Sequence, residues 1–134
     1  MADVDEINYR CLGDALDDAA ERFGERIGWT FQDDHVSFAA MRADADSVAR
    51  ALVGIGVKRG DVVAVWMPNL REFASCLFGC AKIGAILTAI NTRSKLFELE
   101  HTLGHSGARI LIMADRCKRC GNIFSEKEEL PLIL

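Results

Sequence analysis

Two cysteines near the end of the sequence have the spacing of a metal or redox site. Two thiolates placed like Cys117 and Cys120 can share a metal ion or form a disulfide. A structural zinc ion needs four ligands, however, and the sequence has no second pair at this spacing. The remaining candidates to complete a zinc site are His101 with His105, or Cys76 with Cys80. We favour the interpretation that Cys117 and Cys120 are incidental thiols, with a metal or redox role as the alternative.

The two histidines lie one turn apart in a predicted helix, a spacing that suits a metal ion. The glutamate of the His-Glu-x-x-His zinc enzymes is absent, because Thr102 follows His101. We therefore interpret His101 and His105 as solvated helix residues.

A glycine-rich stretch, Gly54, Gly56 and Gly60, invites comparison with a nucleotide-binding loop. Such a loop must follow a strand and open a helix, so that helix N–H groups point at the phosphates. Here the glycines follow a predicted helix and precede a predicted strand. We interpret them as a helix end and a connecting turn.

Composition indicates one ordinary globular domain. The chain has 134 residues, half of them apolar, and a net charge of −4 with basic and acidic residues interspersed, which argues against nucleic-acid binding. The acidic N-terminus lacks the pattern of a secretory signal, and residues 74–90 are too short and too interrupted for a membrane span. Five cysteines without an export signal favour a reducing compartment, and we predict a cytoplasmic protein.

The first part of the chain predicts two helices joined by a hairpin. Apolar residues recur at helical spacing over residues 12–23, and Gly24 is a suitable terminator. Residues 28–32 and 36–38 then predict two short strands around a turn at residues 33–35. Ser37 is a good N-cap for a second helix, which Gly54 and Gly56 end.

The second part predicts a βαβαβ unit with strands at residues 62–67, 85–90 and 109–114, the first of them apolar throughout and buried on both faces. Asn69 and Ser94 are candidate N-caps for the two crossover helices, the first apolar nearly all round over residues 73–83 and the second with Leu96, Leu99 and Leu103 on one face. We predict an α/β fold with a parallel sheet, covered also by the two N-terminal helices. Residues 1–60 form the lead-in, 61–115 the βαβαβ unit and 116–134 a tail of uncertain structure.

In open parallel sheets, ligands bind beyond the carboxyl ends of the strands. Those ends are followed here by Pro68 and Asn69, by residues 91–93, and by Asp115 and Arg116. Asn91 is suited to fixing a turn and Arg93 to meeting an anion, although a structural role is the commoner one for such residues. We find no catalytic constellation and assign no catalytic, cofactor-binding or metal-binding residue.

Several short stretches, taken together and in order, resemble a known family. They are VKRGDVVAVWMPN (57–69), FGCAKIGAI (78–86), INTR (90–93), ELEH (98–101) and SGAR (106–109). Over about residues 10–116 the sequence resembles the N-terminal portion of the adenylate-forming acyl-CoA synthetases, which join a carboxylic or fatty acid to coenzyme A through an acyl-adenylate.

This resemblance implies an ATP-dependent ligase that uses magnesium and coenzyme A. It also implies a Ser/Thr/Gly-rich phosphate loop, a magnesium-handling glutamate, a ribose-binding aspartate and a C-terminal lysine, and none of these motifs occurs in this sequence. Without them nothing stabilises the charge of the transferring adenylate, so we expect residues 1–134 to be an N-terminal fragment that is inactive alone.

Two alternatives belong to other classes of protein. The first is a stand-alone binding or regulatory module that self-associates, or binds a partner, through an exposed apolar surface. The second is a small zinc protein that binds its metal through Cys117 and Cys120.

Overall fold

A computed structural model describes residues 11–31 and 33–114, and it has the predicted α/β fold. The helices and strands are, in chain order, α1 (Leu12–Phe23), β1 (Ile27–Phe31), β2 (Asp34–Ser37), α2 (Phe38–Gly54), β3 (Val62–Trp66), α3 (Arg71–Ile83), β4 (Ile86–Ala89), α4 (Leu96–Ser106) and β5 (Ile110–Met113). The strands β1 and β2 form an antiparallel hairpin, and β3, β4 and β5 form a parallel sheet.

The parallel sheet has the order β4-β3-β5, so the first strand in the sequence is the central one. Val63 pairs with Leu87 on one side and with Ile110 on the other. Because β3 has a neighbour on each edge and helices over both faces, Val63, Ala64 and Val65 are fully buried. The unbroken apolar run of β3 therefore predicts correctly that this strand is buried on both faces of the sheet.

Alternate residues of β3 point to opposite faces of the sheet, as the pleat requires. Val63, Val65 and Met67 meet α2 and α3 through Leu52, Cys76 and Cys80, in what we call the α2–α3 face. Ala64 and Trp66 meet α4 through Leu99, together with Ile90, in what we call the α4 face.

The helix α1 forms an outer layer against α2 and α3, where Leu16 and Ala20 are buried. We expected α1 to cover the sheet as α2 does. The three-stranded sheet is narrow, however, and α2 and α3 already occupy this face, so α1 packs on the helices instead.

A lysine ties the three helices of this side together. The Lys82 ammonium of α3 forms ion pairs with Asp17 of α1 and with Asp46 of α2, the latter at 2.7 Å. Gly13 of α1 packs directly on the lysine stem, because a Cβ there would lie 2.7 Å from Lys82 Cγ. Burial lowers the pKa of Lys82, but its hydrogen bonds to the two aspartates outweigh burial and raise the pKa above the ordinary value.

The hairpin differs slightly from its prediction. Asp34 and His35 belong to β2 and not to the turn, because His35 pairs with Thr30 across the hairpin and their side chains hydrogen-bond at 3.1 Å. Phe38 is the first residue of α2 and not the last of the strand. Ser37 caps α2 as predicted, its hydroxyl accepting a hydrogen bond from the backbone N–H of Ala40.

The predicted caps of the two later helices are wrong by one residue. The N-cap of α3 is Leu70 and not Asn69, and no side chain caps this helix end. The N-cap of α4 is Lys95 and not Ser94, and the Glu98 carboxylate accepts a 2.8 Å hydrogen bond from the Lys95 N–H. A carboxylate in the first turn takes over the capping role that we assigned to a serine.

Within residues 11–31 and 33–114, no helix combines the length and the apolar character that a membrane crossing requires. The apolar stretch at 74–90 divides where expected: α3 ends at Ile83, Gly84 adopts a left-handed backbone (φ 70°), and β4 begins at Ile86.

Candidate functional site

The loop after β4 lies at the carboxyl end of the sheet, where ligands bind in related folds. Asn91 organises this loop, as predicted. Its side-chain oxygen accepts a hydrogen bond from the Arg93 N–H at 2.9 Å, and its backbone carbonyl accepts one from the Ser94 N–H at 2.9 Å. The same carbonyl also accepts the indole N–H of Trp66 at 3.0 Å, which joins this loop to the end of β3.

Arg93 is exposed beside this loop, and within the described part of the chain it has no acidic partner at ion-pair distance. Asn69 is also exposed, in the loop after β3. Asp115 and Arg116, which complete the predicted set, lie outside the described residues. Asn91 is therefore a structural residue, and we assign no anion site to Arg93.

The glycine-rich stretch lies at the opposite, amino end of β3. Gly56 and Gly60 adopt positive φ values of 90° and 86°, and the stretch connects the end of α2 to the strand. The C-terminal end of a helix carries partial negative charge and repels phosphate. The interpretation of this stretch as a connecting turn is confirmed.

The amino end of the sheet is closed by Asp61. Its carboxylate accepts hydrogen bonds from the Lys58 N–H and from the Arg109 guanidinium, both at 2.8 Å. Arg109 immediately precedes β5, so this ion pair joins the entry of the third strand to that of the first. The arrangement is structural, because it ties the entries of two strands together.

The thiols of α3 belong to the core and not to a reactive site. Cys76 and Cys80 are buried in the α2–α3 face as free cysteines. Burial raises the pKa of both thiols, that of Cys80 to about 11, so both are protonated at neutral pH. Cys117 and Cys120 lie outside the described residues, and within those residues no group of three or more His, Cys, Asp or Glu could hold a metal ion.

His101 and His105 are both exposed on α4, as predicted, and their rings stack with centroids 5.9 Å apart and planes inclined by 10°. The helical spacing thus brings the two imidazoles side by side. Neither side chain faces the sheet, since the inner side of α4 is provided by Leu99 and Leu103.

An apolar groove of about 910 Å³ lies between α2, α3 and β5, and we call it the β5 groove. The residues that line it include Ile110 and Ile112 of β5, Ala51 and Leu52 of α2, and Ile55, which follows α2. Ile55 is 61% exposed there, and Met113 at the end of the strand is 38% exposed. Polar groups are confined mostly to one rim, where Arg71 of α3 pairs with Asp44 of α2 at 2.7 Å.

The ion pairs of Lys82 were not predicted from the sequence. A lysine within a largely apolar helix is the signal that could have indicated an ion pair with neighbouring helices. The groove was foreseen only as an exposed apolar surface, because its walls come from elements that are distant in sequence.

The fold defines a class of protein: a parallel α/β unit of the type found in the N-terminal domains of acyl-CoA synthetases. It superposes on the N-terminal domain of FACL13 from Mycobacterium tuberculosis with a TM-score of 0.78 at 29% identity, over 86% of this chain and 29% of that one. A fatty acyl-CoA synthetase from the same organism matches with a TM-score of 0.77 at 30% identity, over 84% of this chain and 22% of that one.

Sequence comparison gives the same result. The profile of the AMP-binding enzyme family matches residues 16–132, so the chain belongs to that family. It is 30% identical over 112 residues to a putative acyl-CoA synthetase, YngI, of Bacillus subtilis, which covers 82% of this chain and 20% of that protein. It is 39% identical over 80 residues to a long-chain-fatty-acid–CoA ligase, FadD13, of Mycobacterium tuberculosis, which covers 60% of this chain and 16% of that protein.

The recognised resemblance is therefore confirmed, and the chain has the sequence and fold of an acyl-CoA ligase N-terminal domain. It spans about a fifth of the length of the curated relatives it matches. These findings give no support to a stand-alone module or to a small zinc protein.

Proposed function

We propose that this chain supplies the N-terminal α/β segment of an ATP-dependent acyl-CoA synthetase. The reaction of such an enzyme joins a carboxylic or fatty acid to coenzyme A, with conversion of ATP to AMP and pyrophosphate. The observation that carries the proposal is the match of the family profile to residues 16–132, supported by the superposition on an N-terminal synthetase domain.

The described residues do not fit ATP or magnesium by themselves. The glycine-rich turn follows the C-terminal end of a helix, Asn91 is engaged in its own loop, and Asp61 is paired with Arg109. A phosphate cradle and a magnesium ligand must come from other residues of a synthetase, and so must the site for coenzyme A. We therefore propose that residues 1–134 are a fragment that catalyses no adenylation alone.

The segment contributes a scaffold, and the β5 groove is the surface through which it joins the remainder of the enzyme. The groove is apolar, open and adjacent to an outer strand of the sheet, features that favour burial against further protein. Its Arg71–Asp44 pair lies at the rim, where polar groups of an interface usually lie.

The first test is activity. The purified chain, supplied with ATP, magnesium, coenzyme A and a long-chain fatty acid, should release no pyrophosphate above a blank without protein, while a full-length relative assayed in parallel turns over. Acyl-CoA formation by the chain alone would contradict the proposal.

The second test places residues 16–132 in a full-length relative in exchange for its matching segment. We expect this chimaera to be active and the Ile55→Asp variant of it to lose most activity, because a charge would enter the β5 groove. The matched control is Val53→Asp, a residue of α2 that is similarly exposed, 55%, but does not line the groove. Equal loss of activity in both variants would refute the role of the groove.

We also propose a cytoplasmic location, since the chain buries Cys76 and Cys80 as free thiols and carries five cysteines in all. Alkylation of a fresh cell lysate under denaturing conditions should modify all five cysteines without prior reduction. Recovery of a disulfide-linked form would contradict this location.

A further inference from the structure

The strand β5 forms an unprotected edge of the parallel sheet. It lies at one end of the order β4-β3-β5, so among the described residues no strand lies beyond it. All the residues of β5, Ile110–Met113, are apolar, and its register with β3 is unbroken. Native proteins protect open edges with charged residues, proline or bulges, and β5 has none of these. Its sequence is therefore that of a strand that pairs on both sides.

The backbone groups of β5 that face this edge belong to Ile110 and Ile112. The Arg109 N–H donates to the Val62 carbonyl of β3 at 3.0 Å. Because backbone groups alternate in direction along a strand, the N–H of Leu111 also faces β3, whereas those of Ile110 and Ile112 face outward. The side chains of these two isoleucines line the β5 groove. A further strand on this edge would accept the outward N–H groups and fill the groove with its side chains.

The chain contains an apolar segment of suitable length after β5. Residues 130–134 read Leu-Pro-Leu-Ile-Leu. When extended, these five residues span about 17 Å, which is enough to lie along the whole of β5. Proline is tolerated in a strand at the outside of a sheet, where its missing N–H costs no ladder hydrogen bond. Residues 115–129 remain for the connection, and a parallel crossover needs about a dozen residues or more.

The two existing crossovers indicate which face this connection crosses. The step from β3 to β4 goes to one side, with α3 over the α2–α3 face. The step from β4 to β5 goes to the other side, with α4 over the opposite face. Parallel crossovers share one hand, so a change of direction requires a change of face. A strand beyond β5 continues the second direction, and its connection therefore lies over the α4 face, where Leu111 is only partly buried.

We propose that residues 130–134 add to β5 as a fourth, parallel strand, with residues 115–129 crossing over the α4 face. The added strand occupies the part of the β5 groove next to β5, and its side chains alternate between α2 and the α4 face. This inference rests on the proposed role of the β5 groove as a surface that further protein covers. It names residues of this chain as the first part of that cover.

The test is amide hydrogen exchange of the 134-residue chain, followed residue by residue by NMR. We expect Ile110 and Ile112 to exchange as slowly as Leu111, whose N–H is bonded to β3. Nuclear Overhauser effects should join the amides of the two isoleucines to residues 130–134. The alternation along β5 provides an internal standard, because only the outward amides report on the added strand.

One substitution in the apolar segment should open the edge again. Leu132→Asp should speed the exchange of Ile110 and Ile112 by at least about tenfold and leave Leu111 slow, because a charged side chain disfavours burial in either face. The matched control is Asn122→Asp, which adds the same charge within the connection and should exchange like the unsubstituted chain. If Leu132→Asp also exposes Leu111, the Overhauser effects in the unsubstituted chain decide.

Three outcomes would overturn the proposal. The first is fast exchange of Ile110 and Ile112 in the unsubstituted chain while Leu111 stays slow. The second is equal exchange in the two aspartate variants. The third is protection that falls on dilution, because a second copy of the chain would then occupy the edge. None of these readouts uses ATP or coenzyme A, so acyl-CoA formation by the chain would refute the proposed function and leave the added strand standing.

Discussion

The two faces of the parallel sheet are covered by different numbers of helices. The α2–α3 face is covered by two helices, with α1 as a further layer, and its cluster includes Leu52, Cys76 and Cys80. The α4 face is covered by one helix, in which Leu99 is the only buried residue. The pattern of each helix explains the contrast: α3 is apolar nearly all round, whereas α4 has one apolar stripe and exposes Phe97 to 77%. The α2–α3 face is therefore covered by more helices than the α4 face.

The largest expected effect comes from truncating one large buried residue on each face. Leu52→Ala should lower the free energy of unfolding by about 2–5 kcal/mol, because the helices around it cannot close the cavity. Leu99→Ala should fall at the lower end of that range, since α4 is held by one stripe and can move toward the sheet. Urea unfolding followed by circular dichroism measures both. An equal or larger loss for Leu99→Ala would show that the faces do not differ.

The second effect concerns the buried thiols of the α2–α3 face. The pKa of Cys80 is raised to about 11 from an ordinary value of 9.0, chiefly by burial. A raised pKa in the folded state means that stability is complete below pH 9 and is lost as the pH rises through 11. The loss from Cys80 is about 2–3 kcal/mol, at about 1.4 kcal/mol per unit.

Urea titrations between pH 8 and 11 measure this loss. Cys80→Ala should lessen the alkaline fall in stability by that amount, whereas Cys11→Ala, which removes an exposed thiol, should leave it as in the unsubstituted chain. Lys82 adds to the fall above its own ordinary value of 10.5, equally in both variants. Identical slopes for the two variants would mean that Cys80 is not buried as described.

The third effect tests how closely the two helices of the α2–α3 face approach each other. A Cβ on Gly79 would lie 2.8 Å from Val48 Cγ1 and 3.1 Å from the Ala45 carbonyl oxygen, so α2 and α3 would have to separate. Gly79→Ala should therefore cost about 1–3 kcal/mol of stability, although alanine is the better helix former. An unchanged or raised melting temperature for Gly79→Ala would show that α2 and α3 accommodate the methyl group without separating.

The smallest expected change in stability has the opposite sign and concerns the α4 face. Gly104→Ala introduces a methyl group into open space within α4, so it should stabilise the chain by about 0.5–1 kcal/mol. Thermal melting of the two glycine variants side by side gives the sharpest version of the comparison. Destabilisation by Gly104→Ala would show that another group packs against α4 at this position.

Much of this architecture was predictable from local patterns. The buried run at β3, the amphipathic stripe of α1 and the capping serine of α2 each depend on nearby residues, and each was predicted correctly. The helix starts predicted at Asn69 and Ser94 were each one residue early, because the N-caps are Leu70 and Lys95, whose residue types do not mark a helix start. The β5 groove and the Lys82 ion pairs were not predictable in detail, since both depend on how elements far apart in sequence approach one another.

Chain order has a consequence for synthesis on the ribosome. The central strand β3 emerges before either of its partners. Both edges of this apolar strand therefore stay without hydrogen-bonding partners until β4 and then β5 have been synthesised. During that interval the nascent polypeptide exposes an apolar strand that is prone to aggregation. Holding factors that shield newly made proteins should therefore engage it most strongly between the appearance of Trp66 and that of Met113.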